Sequence, residues 1–171
     1  MPFPGEQLSS SDWEDHRTDV LSWLPGNTPV YRGINIKQVR VSDSPTHYHP
    51  QLGGFDELVF IRDTEPGAGV LISTQREAIE THTLTRTEVG TLLQPIPLHP
   101  GDLLFLPRGT IHRARGRSSA VVLALPGFLP GAEVRLDEDL RAINEALGLK
   151  GDAALPTYAG VDRGSGLETD R

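Results

Sequence analysis

The stretch from Gly101 to Arg115, GDLLFLPRGTIHRAR, constrains this chain more than any other. Gly101-Asp102 reads as a tight turn, and Leu103-Leu104-Phe105-Leu106 as a short, fully buried strand. Pro107-Arg108-Gly109 reads as a second turn, because Pro fixes φ and Gly is free to take φ > 0. His112 then opens another strand, in alternation with Ala114. Two tight turns around a buried strand bring one imidazole to a defined spot on an interior wall. Such a device belongs to a rigid β scaffold.

A partner stretch lies upstream, in His47-Tyr48-His49 followed by Asp56-Glu57-Leu58-Val59-Phe60-Ile61. Residues two apart on a strand share a face, so His47 and His49 project together while Tyr48 points away. Glu57, Val59 and Ile61 likewise share a face. Imidazole nitrogens with one carboxylate oxygen suit a divalent first-row metal and leave coordination positions open. Asp56, pointing away from Glu57 on a regular strand, is the alternative carboxylate.

With these residues the sequence resembles the cupin superfamily. The second cupin motif, G-x5-P-x-G-x2-H, is matched by Gly101, Pro107, Gly109 and His112. The first, H-x-H-x(3,4)-E-x6-G, is matched by His47, His49 and Glu57, with seven residues between His49 and Glu57 and Thr64 where the closing Gly falls. The resemblance implies an all-β fold, a double-stranded β-helix (jelly-roll, cupin) barrel with short flanking helices. It also implies a divalent metal ion on His47, His49, Glu57 and His112, with iron the first choice and Mn, Ni or Zn the others.

Composition narrows the remaining classes. A length of 171 residues accommodates one domain with a real core. The net charge of -7 argues against a nucleic-acid surface, which needs a basic stripe. Cys is absent, so any metal is held by His, Asp or Glu. The opening MPFPGEQLSSSDWEDH lacks the basic-then-apolar pattern of a leader, and no apolar run is long enough to span a bilayer, so we expect a cytoplasmic protein.

Along the chain we expect an N-terminal arm and short helix over 1–29, a barrel over 30–128, and a C-terminal helix and polar tail over 129–171. Ser11-Asp12-Trp13-Glu14 resembles a capping box for a helix running to about Leu24. Gln51-Leu52-Gly53-Gly54-Phe55 is the extra length inside the first motif and reads as a lip over the metal. Glu80 to Val89 and then Leu92 to Ile96 read as strands. Asp137 to Leu147 reads as an amphipathic helix, followed beyond Lys150 by a loose tail or an arm laid on a neighbour. Helices are therefore expected only near 11–24 and 137–147. Arg113, Arg115 and Arg117 are expected on an outer face, and His16, His82 and His99 away from the metal.

The function that the resemblance implies is metal-dependent chemistry on a small molecule. With iron, a substrate chelating through adjacent oxygens points to a dioxygenase. With Mn, Ni or Zn, the same site suits an isomerase or lyase acting on a sugar or keto acid. A barrel that captures a small ligand without turning it over is the non-catalytic alternative. No catalytic residue beyond the metal ligands is singled out. Open sheet edges favour a homodimer with one site per barrel.

Overall fold

The computed structural model describes residues 20–21, 35–126 and 133–158, with side chains from residue 39 onward. Among them, nine strands form one antiparallel system: β1 (Val20–Leu21), β2 (Asn35–Asp43), β3 (His47–Tyr48), β4 (Asp56–Thr64), β5 (Gly69–Ser73), β6 (Gln94–Pro97), β7 (Leu103–Leu106), β8 (Ile111–Leu125) and β9 (Val134–Arg135). This is the expected jelly-roll barrel.

The 15-residue β8 is its spine. Its first part pairs with β5 and β3 and its second part with β4 and β2. Between the two lies Gly116, at φ 72°, where an added Cβ would stand 2.8 Å from the Ala68 backbone. Only a glycine permits the strand to turn there with the β4–β5 connection pressed against it. Register shifts at Val41/Asp43 in β2 and Ile61/Asp63 in β4 fall at the same level. Three strands bending together curl the sheet around its own interior.

The apolar residues sort into two layers. Inside the barrel Ile61, Val70, Leu98 and Ala120 pack with the partly buried Val59, Ile72 and Leu104. Behind β3 and β8, Tyr48 and Ile111 pack against Ile79, Leu92, Leu140 and Ile143 of three helices, α1 (Arg76–Glu80), α2 (Arg86–Leu92) and α3 (Asp137–Ala146). Tyr48 and Ile111 are chain neighbours of His47 and His112, on the opposite face. The helical layer therefore backs the wall on which those two histidines stand.

Several expectations need correction. Glu80 to Val89 is not a strand: α1, a turn and α2 occupy it, so helices are not confined to 11–24 and 137–147. Thr85 and Glu88 form a capping box, with the Thr85 N–H donating to Glu88 Oε2 at 2.8 Å. That local bond outweighed the β propensity of the threonines. Leu103-Leu104-Phe105-Leu106 is a strand but not a fully buried one, since Leu103 is 66% and Phe105 55% exposed. Val20–Leu21, inside the span read as helix, pair as strand with Lys37 and Ile36. The rest of that helix lies outside the described residues.

At the other end α3 is found as expected, but the first residues beyond it are not loose. Leu155 is buried, and Asn144 both donates to its carbonyl and accepts from its N–H.

Candidate metal centre

β3 and β8 run side by side, and His47 is the register partner of His112. Their rings, 4.2 Å apart between centroids, stand on the same face of the sheet. His49, two residues beyond His47, brings its ring to 5.3 Å from His47 and 5.4 Å from His112. One ring nitrogen from each of the three lies within 4.8 Å of the others, and all three side chains are buried. The spacing His-x-His and the second motif's histidine thus meet as expected.

Second contacts fix which nitrogen each ring offers. His47 Nδ1 lies 2.9 Å from the Pro45 carbonyl, and His112 Nδ1 3.0 Å from that of Thr110. A carbonyl oxygen only accepts, so Nδ1 carries the proton in both rings and Nε2 presents its lone pair. His49 stacks on the fully buried Phe55 at 3.8 Å between centroids. Imidazoles held in this way are the donor set that a divalent first-row cation takes. The residues present fit such an ion.

Glu57 stands beside this group on β4. Its Oε1 is 3.6 Å from His49 Nε2 and its Oε2 3.5 Å from His112 Nε2. Burial alone would raise the Glu57 carboxyl, but the His112 and His49 rings outweigh it and hold the group well below the ordinary carboxylate range. The carboxylate is thus charged and faces two of the three imidazoles. Asp56 turns the other way. It accepts from the Arg108 N–H at 2.8 Å and from the Arg108 guanidinium at 3.2 and 3.3 Å. Its carboxyl is pushed up by partial burial and brought below the usual range by those Arg108 contacts.

The second motif does more than deliver His112. Gly109, at φ 84°, donates its N–H to the His49 carbonyl at 2.8 Å, and Gln51 Nε2 donates to the Arg108 carbonyl at 2.8 Å. The Pro107–Gly109 turn is therefore fastened to the histidine strand of the first motif. The turn Gln51-Leu52-Gly53 rises beside it, with Leu52 92% exposed.

A buried clamp that the sequence did not reveal holds the two histidine strands from behind. Asp137, at the start of α3, accepts from the Thr46 N–H at 2.9 Å and from the Tyr158 N–H at 2.6 Å. Its Oδ1 is also 3.5 Å from Arg113 Nη1. Arg113 forks onto Asp43 at 2.9 and 2.6 Å. Thr46 precedes His47 and Arg113 follows His112, so one network grips a chain neighbour of each of these two histidines. Arg113 is thus a correction, being 5% exposed rather than part of an outer face, whereas Arg115 and Arg117 are exposed as expected. An acidic residue in a first helical turn is ordinary dipole chemistry. Nothing in the sequence signals that Asp137 reaches Thr46, 91 residues away.

The remaining histidines stand apart. His82 bonds Asp139 at 2.8 Å and His99 lies 3.4 Å from Asp102, both near the surface. His16 lies outside the described residues. A cavity of about 510 Å³ is bounded by Glu65, Leu98 and Arg115 and includes none of the three clustered histidines. Among the described residues, no helix is long and apolar enough to cross a membrane.

Comparison with known proteins finds one partial family match and several distant structural likenesses. Residues 70–133 match the family model described as the JmjC domain, a span that contains His112 but not His47, His49 or Glu57. No curated protein sequence matches the chain. Among solved structures, mannose 6-phosphate isomerase from Bacillus subtilis is similar at 20% identity and a TM-score of 0.48, over 61% of this chain and 36% of the isomerase. The chain thus spans about a third of that enzyme's length. A protein from Planctomyces limnophilus aligns at 17% identity and a TM-score of 0.49, over 78% of this chain and 96% of its own. A cupin-2 domain containing protein from Shewanella frigidimarina aligns at 15% identity and a TM-score of 0.38, over 63% and 78%. Each of these likenesses is distant. An antiparallel barrel with both histidine motifs meeting on one interior wall is the jelly-roll architecture that the resemblance of those motifs implied.

Proposed function

We propose that the chain is a metal-dependent enzyme, an oxidoreductase of the dioxygenase type that acts on a small oxygenated compound. The observation that carries the reading is the donor set. Two Nε2 lone pairs are fixed by Nδ1–H bonds to carbonyls, a third imidazole is stacked in place, and a charged carboxylate stands beside them. A divalent ion bound there supplies Lewis acidity and, if it is iron, one-electron chemistry toward dioxygen.

The chain's own residues do the rest. His47, His49 and His112 hold the cation, and Glu57 supplies negative charge that imidazole ligands do not bring. Register neighbours of His112 and Glu57 are apolar, Ile72 beside His112 and Ala124 and Leu106 beside Glu57, whereas Arg135 pairs with His47 on the other side. Such walls exclude water and favour the approach of a compact substrate that brings its own oxygen donors. The reading takes the protein to act in the cytoplasm.

Oxygen consumption by iron-loaded protein against a panel of catechols and diketones tests the reaction. The proposal expects substrate-dependent oxygen uptake that disappears in His112→Ala. Turnover that proceeds equally without oxygen would overturn it in favour of an isomerase or lyase.

A further inference from the structure

The cavity of about 510 Å³ that stands apart from the histidines is lined by the β4–β5 connection, β5, β6 and Arg115 of β8. Register builds its floor. Gly69 pairs with Pro97 on one side and with Arg115 on the other, and Leu71 pairs with Pro95. Residues two apart on a strand share a face, so Gly69 and Leu71, with the two prolines and Arg115 across from them, line one surface. Leu71 is buried and both prolines are exposed, so the lining is apolar around a strip of backbone. Gly69 keeps that strip bare, because a Cβ there would stand 2.8 Å from the Ile96 carbonyl oxygen.

The walls are already in place. The Leu98 N–H donates to the Ala68 carbonyl at 3.1 Å, and the Glu65 N–H to the Arg117 carbonyl at 2.8 Å. These bonds tie the β4–β5 connection to the end of β6 and to β8. Pro95 and Pro97 fix their own φ. A cavity held in this way needs little ordering when a ligand enters.

Its charge is uneven. Glu65 lies 3.5 Å from Arg117, and His99 3.4 Å from Asp102, so these groups have partners. Asp43, the other register partner of Arg115, is taken by the Arg113 fork. The Arg115 guanidinium makes no ion pair or hydrogen bond among the described residues.

We infer that this cavity binds a small monoanion, a carboxylate carried on a compact apolar body such as a single ring. Volume argues for a small molecule: such sites run from about 300 to 1,000 Å³, with apolar walls and a few polar groups. A guanidinium holds a planar carboxylate through two parallel hydrogen bonds. One unpaired cation suits one negative charge, and Glu65 in the lining disfavours a second, which sets a carboxylate above a phosphate dianion. The inference is independent of the metal reading, since none of His47, His49, Glu57 and His112 lines the cavity.

Titration of the full chain with benzoate, followed through backbone amide shifts, tests it. The amides of Gly67, Gly69 and Leu98 should move together, while those of Leu103 and Phe105, two exposed apolar residues of β7, stay in place. Arg115→Gln should weaken benzoate binding by about tenfold or more, the loss of a charge-assisted pair. Pro97→Glu sets a carboxylate of the chain's own across Gly69 from Arg115 and should weaken it as well. Benzyl alcohol and phenyl phosphate should each bind more weakly than benzoate. His112→Ala, with its metal centre broken, should bind benzoate as the wild type does, which separates this cavity from coordination of the carboxylate at a metal. A wild type without shifts, shifts centred on Leu103 and Phe105, or undiminished binding by Arg115→Gln would overturn the inference. So would a preference for phenyl phosphate or benzyl alcohol, or loss of binding in His112→Ala.

Discussion

Replacing Asp137 by alanine should be among the most damaging single changes outside the metal cluster. The side chain is 6% exposed and serves three groups: the Thr46 N–H, the Tyr158 N–H and the Arg113 guanidinium. Truncation strands the Thr46 N–H in a buried site, at a cost of about 1–3 kcal/mol. Tyr158 is half-buried, so water recovers part of its bond. Arg113 keeps its fork to Asp43 but loses a counter-charge in a site where it is nearly inaccessible. Together these place the loss at about 3–5 kcal/mol, the range for breaking a buried charged network. A domain of this kind has about 5–15 kcal/mol in all, so a third or more of its stability is at stake. At about 2–4 °C per kcal/mol, the melting temperature of the metal-free protein should fall by roughly 6–20 °C. Asp137→Asn keeps one acceptor oxygen and should lose about half as much. Urea unfolding of the three metal-free proteins measures this, and a loss within about 1 kcal/mol for Asp137→Ala would refute the clamp.

Two further outcomes are expected. Glu57→Ala should lower metal affinity while Asp56→Ala leaves it in place, because Asp56 is engaged by Arg108 on the other face; titration calorimetry separates them, and the reverse result would move the carboxylate to Asp56. Glu88, whose carboxyl is lowered by the Thr85 side-chain and backbone bonds, should stabilise α2 fully above the ordinary value of 4.5 and lose that effect as pH falls through its lowered folded value. The urea-midpoint advantage of wild type over Glu88→Ala should therefore be present at pH 7 and shrink in acid, and a constant gap would contradict the capping box.

The barrel and its histidines were legible because their signals are local. The second motif spells a turn, a strand and a turn in consecutive residues, and His-x-His places two rings on one face whatever else the chain does. Strand alternation also separated Glu57 from Asp56 correctly by face. What stayed hidden depends on distant partners. Leu103 and Phe105 read as buried because a run of four apolar residues looks the same whether its second face meets a core or solvent. Arg113 alternates with Arg115 and Arg117 in sequence, yet only Arg113 is buried, against Asp43 and Asp137, partners distant along the chain. The threonines of 81–87 have strand propensity, and only the Thr85–Glu88 pair betrayed a helix start.

Elemental analysis of wild type and His112→Ala, purified side by side without chelator, tests the metal centre most directly. One divalent ion per wild-type chain is expected, with a sharp drop in the variant and an unchanged far-UV spectrum, since one lost ligand leaves the rest of the barrel standing. Wild-type protein that binds no metal, or a variant with undiminished content, would contradict the assignment of His47, His49 and His112 as its ligands.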